Sequence, residues 1–192
     1  SEPSVRLVDL LCSRSTQSTA LGTRFYWYVA VERCDSQYGE LFARVEQQLH
    51  AALEAHNAPL LTMLERQRHF VQMLATKNAE LRVSRDTRPK KIEKLRALLA
   101  DRKAGLRTLD PPLSLPLDPD VCITGVAVEN STVFKSNLFP WRLEFRVDDD
   151  ISTYTVIVKN GDDLRQDQLV LQLFALMDSP VSYTHLTLPT TP

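Results

Sequence analysis

Trp141-Arg142-Leu143-Glu144-Phe145-Arg146-Val147 alternates between apolar and charged residues along its whole length. Successive side chains on an extended chain point to opposite faces, so this period of two predicts a half-buried strand. Asp148-Asp149-Asp150 reads as a polar turn. Thr153 to Lys159, rich in β-branched and aromatic residues, reads as the next strand. Asn160-Gly161 then supplies the positive φ that a tight turn needs. Upstream, Val121 to Val128 is a further strand candidate. Downstream, Asp163 and Gln166 have capping-box spacing, with Asp163 as the N-cap. Leu169 to Met177 is apolar nearly all round, which predicts a buried helix too short to span a bilayer.

The chain before Pro111 has a different period. Leu7, Leu10, Leu11 and the segment Arg24 to Val31 read as the ends of two packed helices, with Phe25-Tyr26-Trp27-Tyr28 as core rather than ligand surface. Leu41, Val45, Leu49 and Leu53 fall at steps of four, which makes Tyr38 to His56 an amphipathic helix. Asn57-Ala58-Pro59 breaks it, and the proline suits the first turn of a following helix striped by Leu60, Leu64, Val71 and Leu74. The two are expected to form an antiparallel hairpin. Arg82, Arg85, Arg88, Lys90 and Lys91 make the next stretch strongly basic. It reads as a solvated loop, or alternatively as a patch facing anionic lipid. Ile92, Leu95, Leu98 and Leu99 mark a short helix stopped near Gly105. The four prolines between Asp110 and Pro119 predict a stiff extended linker, and the domain boundary is drawn there. The fold class is therefore α+β: α-helical hairpins followed by an antiparallel β-sheet with one helix.

The 23 basic and 24 acidic side chains nearly cancel, which argues against a dominant polyanion-binding surface, and no nucleic-acid partner is expected. No apolar run is long enough for a transmembrane helix, and Ser1-Glu2-Pro3-Ser4-Val5 does not begin a secretory signal. Cys12, Cys34 and Cys122 are few, odd in number and far apart, so they read as reduced thiols of a cytosolic protein.

The chemistry concentrates in Val156-Ile157-Val158-Lys159-Asn160-Gly161-Asp162-Asp163-Leu164-Arg165-Gln166-Asp167. Alternation puts Lys159 on the face of Thr155 and Ile157, at the end of the strand. An ammonium beside apolar residues requires an anionic partner. A nucleotide phosphate is one, and Asp163 or Asp167 is another. Asp167 lies early in the following helix, where the dipole favours a carboxylate. By spacing alone, a surface Lys–Asp pair and a capped, solvated first turn explain these residues as well as a kinase-like phosphate site does.

Lys-Asn-Gly-Asp-Asp-Leu-Arg-Gln-Asp, from Lys159 to Asp167, closely resembles the ATP-binding strand and following helix of phosphatidylinositol 3-kinases. Phe134-Lys135-Ser136-Asn137-Leu138-Phe139-Pro140 resembles the phosphate-covering loop of the class III branch. Leu10 to Ser15 and Phe25 to Glu32 resemble the last helices of that branch's helical domain, and Leu115 to Pro119 its entry to the kinase lobe. The resemblance implies the end of a helical domain at residues 1–36 and a helical hairpin, basic loop and linker at 37–118. An incomplete kinase N-lobe would follow at 119–178.

The resemblance further implies transfer of the γ-phosphate of ATP to the 3-hydroxyl of phosphatidylinositol, for endosomal trafficking and autophagy. Lys159 would contact the ATP phosphates, and Asp167 would line the inner end of the pocket. Ser136 and its loop backbone would cover the phosphates, and Ile157 would line the adenine side. Magnesium or manganese would assist. Expected partners are a phosphatidylinositol membrane, a regulatory protein-kinase-like subunit and a Beclin-type scaffold, at cytoplasmic endosomal and autophagic membranes. The family's Asp-Arg-His catalytic loop and Asp-Phe-Gly metal-binding motif do not occur in this sequence, so these 192 residues are expected to be inactive alone. They are also expected to fold poorly beyond Pro119 or to expose the apolar 169–177 face.

Two other readings compete: a non-catalytic helical interaction module, and a piece of another phosphatidylinositol kinase branch. The tail from Val181 to Thr190 resembles the translation of an adapter used in sequencing-library preparation, against the alternative of a native β-segment. Residues 179–192 are therefore set aside as non-native.

Overall fold

The structure is a computed structural model that describes residues 3–148, 152–162, 167, 169–174, 176 and 177. Residues 1–160 form one compact unit and residues 161–192 a second. The first unit begins with α1 (Pro3–Ser15), α2 (Thr19–Glu32), α3 (Gly39–His56), α4 (Ala58–Val83) and α5 (Arg88–Ala100). Strands β1 (Leu113–Ser114), β2 (Cys122–Val126), β3 (Thr132–Val133), β4 (Trp141–Val147) and β5 (Thr153–Val158) follow. The expected α+β order is therefore present.

Helices α1 to α4 close around Cys12, Tyr26, Leu49, Leu53, Leu60 and Leu64. The break at Asn57 works as expected: its side chain accepts the Leu60 N–H at 3.2 Å, and Pro59 sits in the first turn of α4. Two details of the helical reading are corrected. On α1, Leu7 and Leu10 are exposed; the inward face is Val8, Leu11, Cys12 and Ser15, one step round the helix. In the aromatic run, Tyr26 is buried and Phe25 and Trp27 pack beside the core, but Tyr28 is exposed and meets Phe42 edge-on. Four consecutive helical residues span more than a full turn, so they cannot share one face. Likewise Leu41 leaves the α3 stripe for solvent, while Glu46 is buried and bridges Arg33 at 2.5 Å and Arg68 at 2.6 Å.

The sheet is antiparallel and centred on β4. Strand β5 pairs along β4 from Trp141↔Val158 to Arg146↔Thr153. The other edge of β4 is shared: β3 pairs at Val133↔Trp141, and β2 pairs from Val126↔Phe145 to Ile123↔Val147. Strand β1, from the proline-rich segment, extends the sheet beyond β2. Trp141, Leu143 and Phe145 face inward, as the alternation predicts, onto Phe70 and Leu74 of α4 and Leu95 and Leu99 of α5. Phe70 and Phe145 rings lie 5.9 Å apart at this layer. The opposite face carries Arg142, Glu144, Thr155 and Ile157.

Gly161 has φ 84°, as the Asn-Gly turn requires. The N-cap assigned to Asp163, the turn residues Asp149 and Asp150, and the 179–192 tail lie outside the described residues. In the second unit, residues 169–174, 176 and 177 are helical, but Leu169, Leu171, Phe174 and Met177 are exposed rather than buried. The buried-helix reading is corrected, while the exposed apolar face expected of these residues alone is what the described positions show; an apolar periphery needs cover without supplying it.

Candidate nucleotide-binding site

The register of β4 decides which residues meet. Trp141 is paired on one side with Val133 and on the other with Val158. The loop 134–140 leaves from Val133 and returns to Trp141, and Lys159 follows Val158. One end of the sheet thus carries both the candidate phosphate loop and the candidate phosphate-binding lysine.

The loop is closed by backbone bonds. The Phe134 N–H donates to the Pro140 carbonyl at 2.9 Å, and the Phe139 N–H to the Ser136 carbonyl at 3.0 Å. Ser136 itself is exposed at the tip, and its Oγ accepts the Leu138 N–H at 3.3 Å. A hydroxyl that accepts keeps its hydrogen for donation, which is the chemistry a phosphate oxygen requires. Phe139 has φ 45°, and is the one non-glycine residue at positive φ among the described residues. Such a conformation persists only where its surroundings hold it.

Ile157 is 61% exposed on the polar face of the sheet, opposite Arg142. A large apolar side chain open on that face is available to a flat ligand. Lys159 is half-buried just past the end of β5. Asp167 belongs to the second unit, where it is helical and exposed. Ile157 therefore lies on the sheet, Ser136 and Lys159 on segments that leave its strands, and Asp167 in a separate unit. A cleft of about 430 Å³ where α4 meets β1, bounded by Arg66, His69, Phe70, Met73 and Leu109, involves none of these four residues.

The basic stretch 82–91 is only in part the solvated loop expected from its charge: Arg85 and Lys90 are exposed, but Arg82, Arg88 and Lys91 bond to the fold. Arg82 ends α4 and donates to the Asn160 carbonyl at 2.9 Å. Arg88 opens α5 and donates to the Val133 carbonyl at 2.8 Å. Lys91 is only 1% exposed and donates to the carbonyls of Leu81, Arg82 and Ser84 at 2.7–2.9 Å. Three acceptors match the three N–H bonds of an ammonium. They also satisfy carbonyls that the end of α4 leaves without helical partners. Burial pushes the Lys91 pKa down, while nearby Asp86 opposes that shift.

Sequence reasoning missed Lys91, Asn78 and Asn160 as site supports. A signal was present: Lys91 stands at the head of the Lys91-Leu95-Leu99 stripe of four, and Asn78 four residues beyond Leu74. Polar residues on an apolar stripe have buried partners.

A sheet end that gathers a lysine and a closed serine-bearing loop is suited to holding an anionic nucleotide. No family model matches the chain. Curated relatives do. The chain is 41% identical over 176 residues to phosphatidylinositol 3-kinase pik3 of Schizosaccharomyces pombe, covering 90% of this chain and 22% of that protein. It is 37% identical to the root isoform of phosphatidylinositol 3-kinase of Glycine max, over 97% of this chain and 24% of that protein. It is 34% identical to phosphatidylinositol 3-kinase VPS34 of Saccharomyces cerevisiae, over 97% of this chain and 20% of that protein. The chain belongs to the class III phosphatidylinositol 3-kinase family. It spans between a fifth and a quarter of the length of these relatives.

Proposed function

We propose that the protein to which this chain belongs phosphorylates phosphatidylinositol at the 3-hydroxyl with ATP, and that this chain supplies the wall of its nucleotide site. The observation that carries the reading is the double pairing of Trp141, with Val133 on one edge and Val158 on the other. That pairing brings the loop and Lys159 to one end of the sheet, as a phosphate-holding site requires. Lys159 contacts the phosphates of ATP, where a cation offsets charge on the transferring group. Ser136 and its loop cover them. Ile157 lies against the adenine.

Magnesium or manganese supplies charge neutralisation when bound, through acids outside these 192 residues, because the chain contains neither the catalytic loop nor the metal-binding motif. These residues alone are therefore inactive. The division into helical-domain end, hairpin with linker, and N-lobe start at residues 36, 118 and 178 belongs to the same reading. So do a membrane substrate, a regulatory protein-kinase-like subunit, a Beclin-type scaffold and a place on endosomal and autophagic membranes. No described helix is long and apolar enough to cross a membrane, which is compatible with peripheral attachment.

The test is Lys159→Met in the full-length enzyme. Lipid phosphorylation falls to background while the thermal melt stays within a few degrees of wild type. Retained turnover would overturn the role given to this lysine.

A further inference from the structure

Both candidate nucleotide-contacting segments are tied to one face of the helical hairpin. Phe139 on the loop receives two contacts. Asn78 Nδ2 on α4 donates to its carbonyl at 3.3 Å, and the Lys91 ammonium lies 4.2 Å from its ring centroid. Asn160, the residue after Lys159, also receives two. Its Nδ2 donates to the Ala75 carbonyl at 2.9 Å, and its own carbonyl accepts from Arg82 Nη1 at 2.9 Å. Ala75, Asn78 and Arg82 are spaced by three and four, so they line one face of α4. Lys91 caps the end of that face from α5.

We propose that the C-terminal half of α4, locked by Lys91, is the positioning platform of the nucleotide site, fixing the loop through Phe139 and the lysine through Asn160. The physical case has three parts. The positive φ of Phe139 is strained, and its carbonyl and ring are each held by a separate helix residue. A buried ammonium is costly unless fully hydrogen-bonded, and Lys91 satisfies all three N–H bonds on the end of α4 while turning its charge onto the aromatic face. Finally, the bonds to Phe139 and to Asn160 both come from α4, so one rigid helix bears on both segments. Lys91, Asn78 and Arg82 act through Phe139 and Asn160; they are positioning residues.

This inference rests on the nucleotide reading above, so the test runs in the full-length enzyme with Lys159→Met in parallel. Phe139→Asn removes the ring but tolerates positive φ, so the backbone turn and the Lys91 cap remain. Phe139→Tyr restores the aromatic face. Lys91→Met removes the cap as well. The KM for ATP rises about tenfold in Phe139→Asn, as expected for a misplaced phosphate loop. Phe139→Tyr restores it, and ATP stabilises Phe139→Asn less than wild type in a thermal melt. Lys91→Met, where it folds, shifts KM in the same direction. A lowered melting temperature with an unchanged KM for ATP in Phe139→Asn would overturn the platform and leave a structural contact. Full activity of Lys159→Met would instead overturn the nucleotide reading on which it rests.

Discussion

Gln67 Oε1 accepts the indole N–H of Trp27 at 2.8 Å, joining α2 to α4 across forty positions of sequence. The same amide donates through Nε2 to the Ser114 carbonyl of β1 at 2.7 Å. Gln67 is fully buried, between the helical cluster around Tyr26 and Leu64 and the sheet cluster around Leu113 and Trp141. One side chain thus satisfies a polar group in each core.

Gln67→Leu removes both bonds while keeping an apolar volume on the α4 stripe. The Trp27 N–H and the Ser114 carbonyl are left without their partner. Chemical denaturation should show a loss of about 2–4 kcal/mol, the cost of two stranded polar groups. A change near zero would mean that water replaces the amide.

Gly125 sits at φ 152°, at the register shift in β2 where the Ile123 pairing passes to Gly125. A Cβ there would collide with the Arg107 carbonyl and the Arg146 guanidinium, which itself donates to that carbonyl and to Val126. Gly125→Ala therefore meets backbone that cannot rotate away. The expected cost is about 2–4 kcal/mol in a denaturation experiment.

Cys12 is buried, and burial with the nearby Asp9 carboxylate raises its thiol pKa. Cys34 is exposed. Thiolate is the reactive form, so maleimide at neutral pH should label Cys34 in the native protein and Cys12 only after denaturation. The sign with pH follows. Above the ordinary thiol range the unfolded chain ionises at Cys12 before the folded chain does, so this site's contribution to stability is lost as pH rises. Equal labelling rates for the two thiols would show that α1 opens readily.

Ile157 is exposed, so Ile157→Ala should change stability by less than about 1 kcal/mol. In the full-length enzyme the KM for ATP should nonetheless rise about five- to twentyfold, through lost apolar contact with the base. An unchanged KM would remove Ile157 from the adenine side.

The basic stretch shows where local reading stops. Arg82, Arg88 and Lys91 are charged residues near a helix break, and charge near a break ordinarily means solvent. Their acceptors are the carbonyls of Asn160, Val133 and the end of α4, up to 78 positions away. No window around residue 85 contains Asn160 or Val133, and although the Lys91 acceptors lie within ten positions, only the packing of α5 on α4 turns the lysine back onto them. The alternation of Trp141 to Val147, by contrast, is a local property of the pleat, and it gave the correct inward face directly. The Asn57 cap and the Gly161 turn were legible for the same reason.

By itself, then, the sequence determined what depends on near neighbours: the helical and strand periods, the break at Asn57, the turn at Gly161, and a string from Lys159 to Asp167 whose resemblance pointed to the family. Tertiary structure alone decided which elements meet. Strand register brings residues 134–140 and Lys159 to one end of the sheet, and a single face of α4 with Lys91 holds their flanking residues. The physical reason is that backbone carbonyls carry no residue identity. A cation's choice among them is fixed only once the chain has folded and water has been removed from around both.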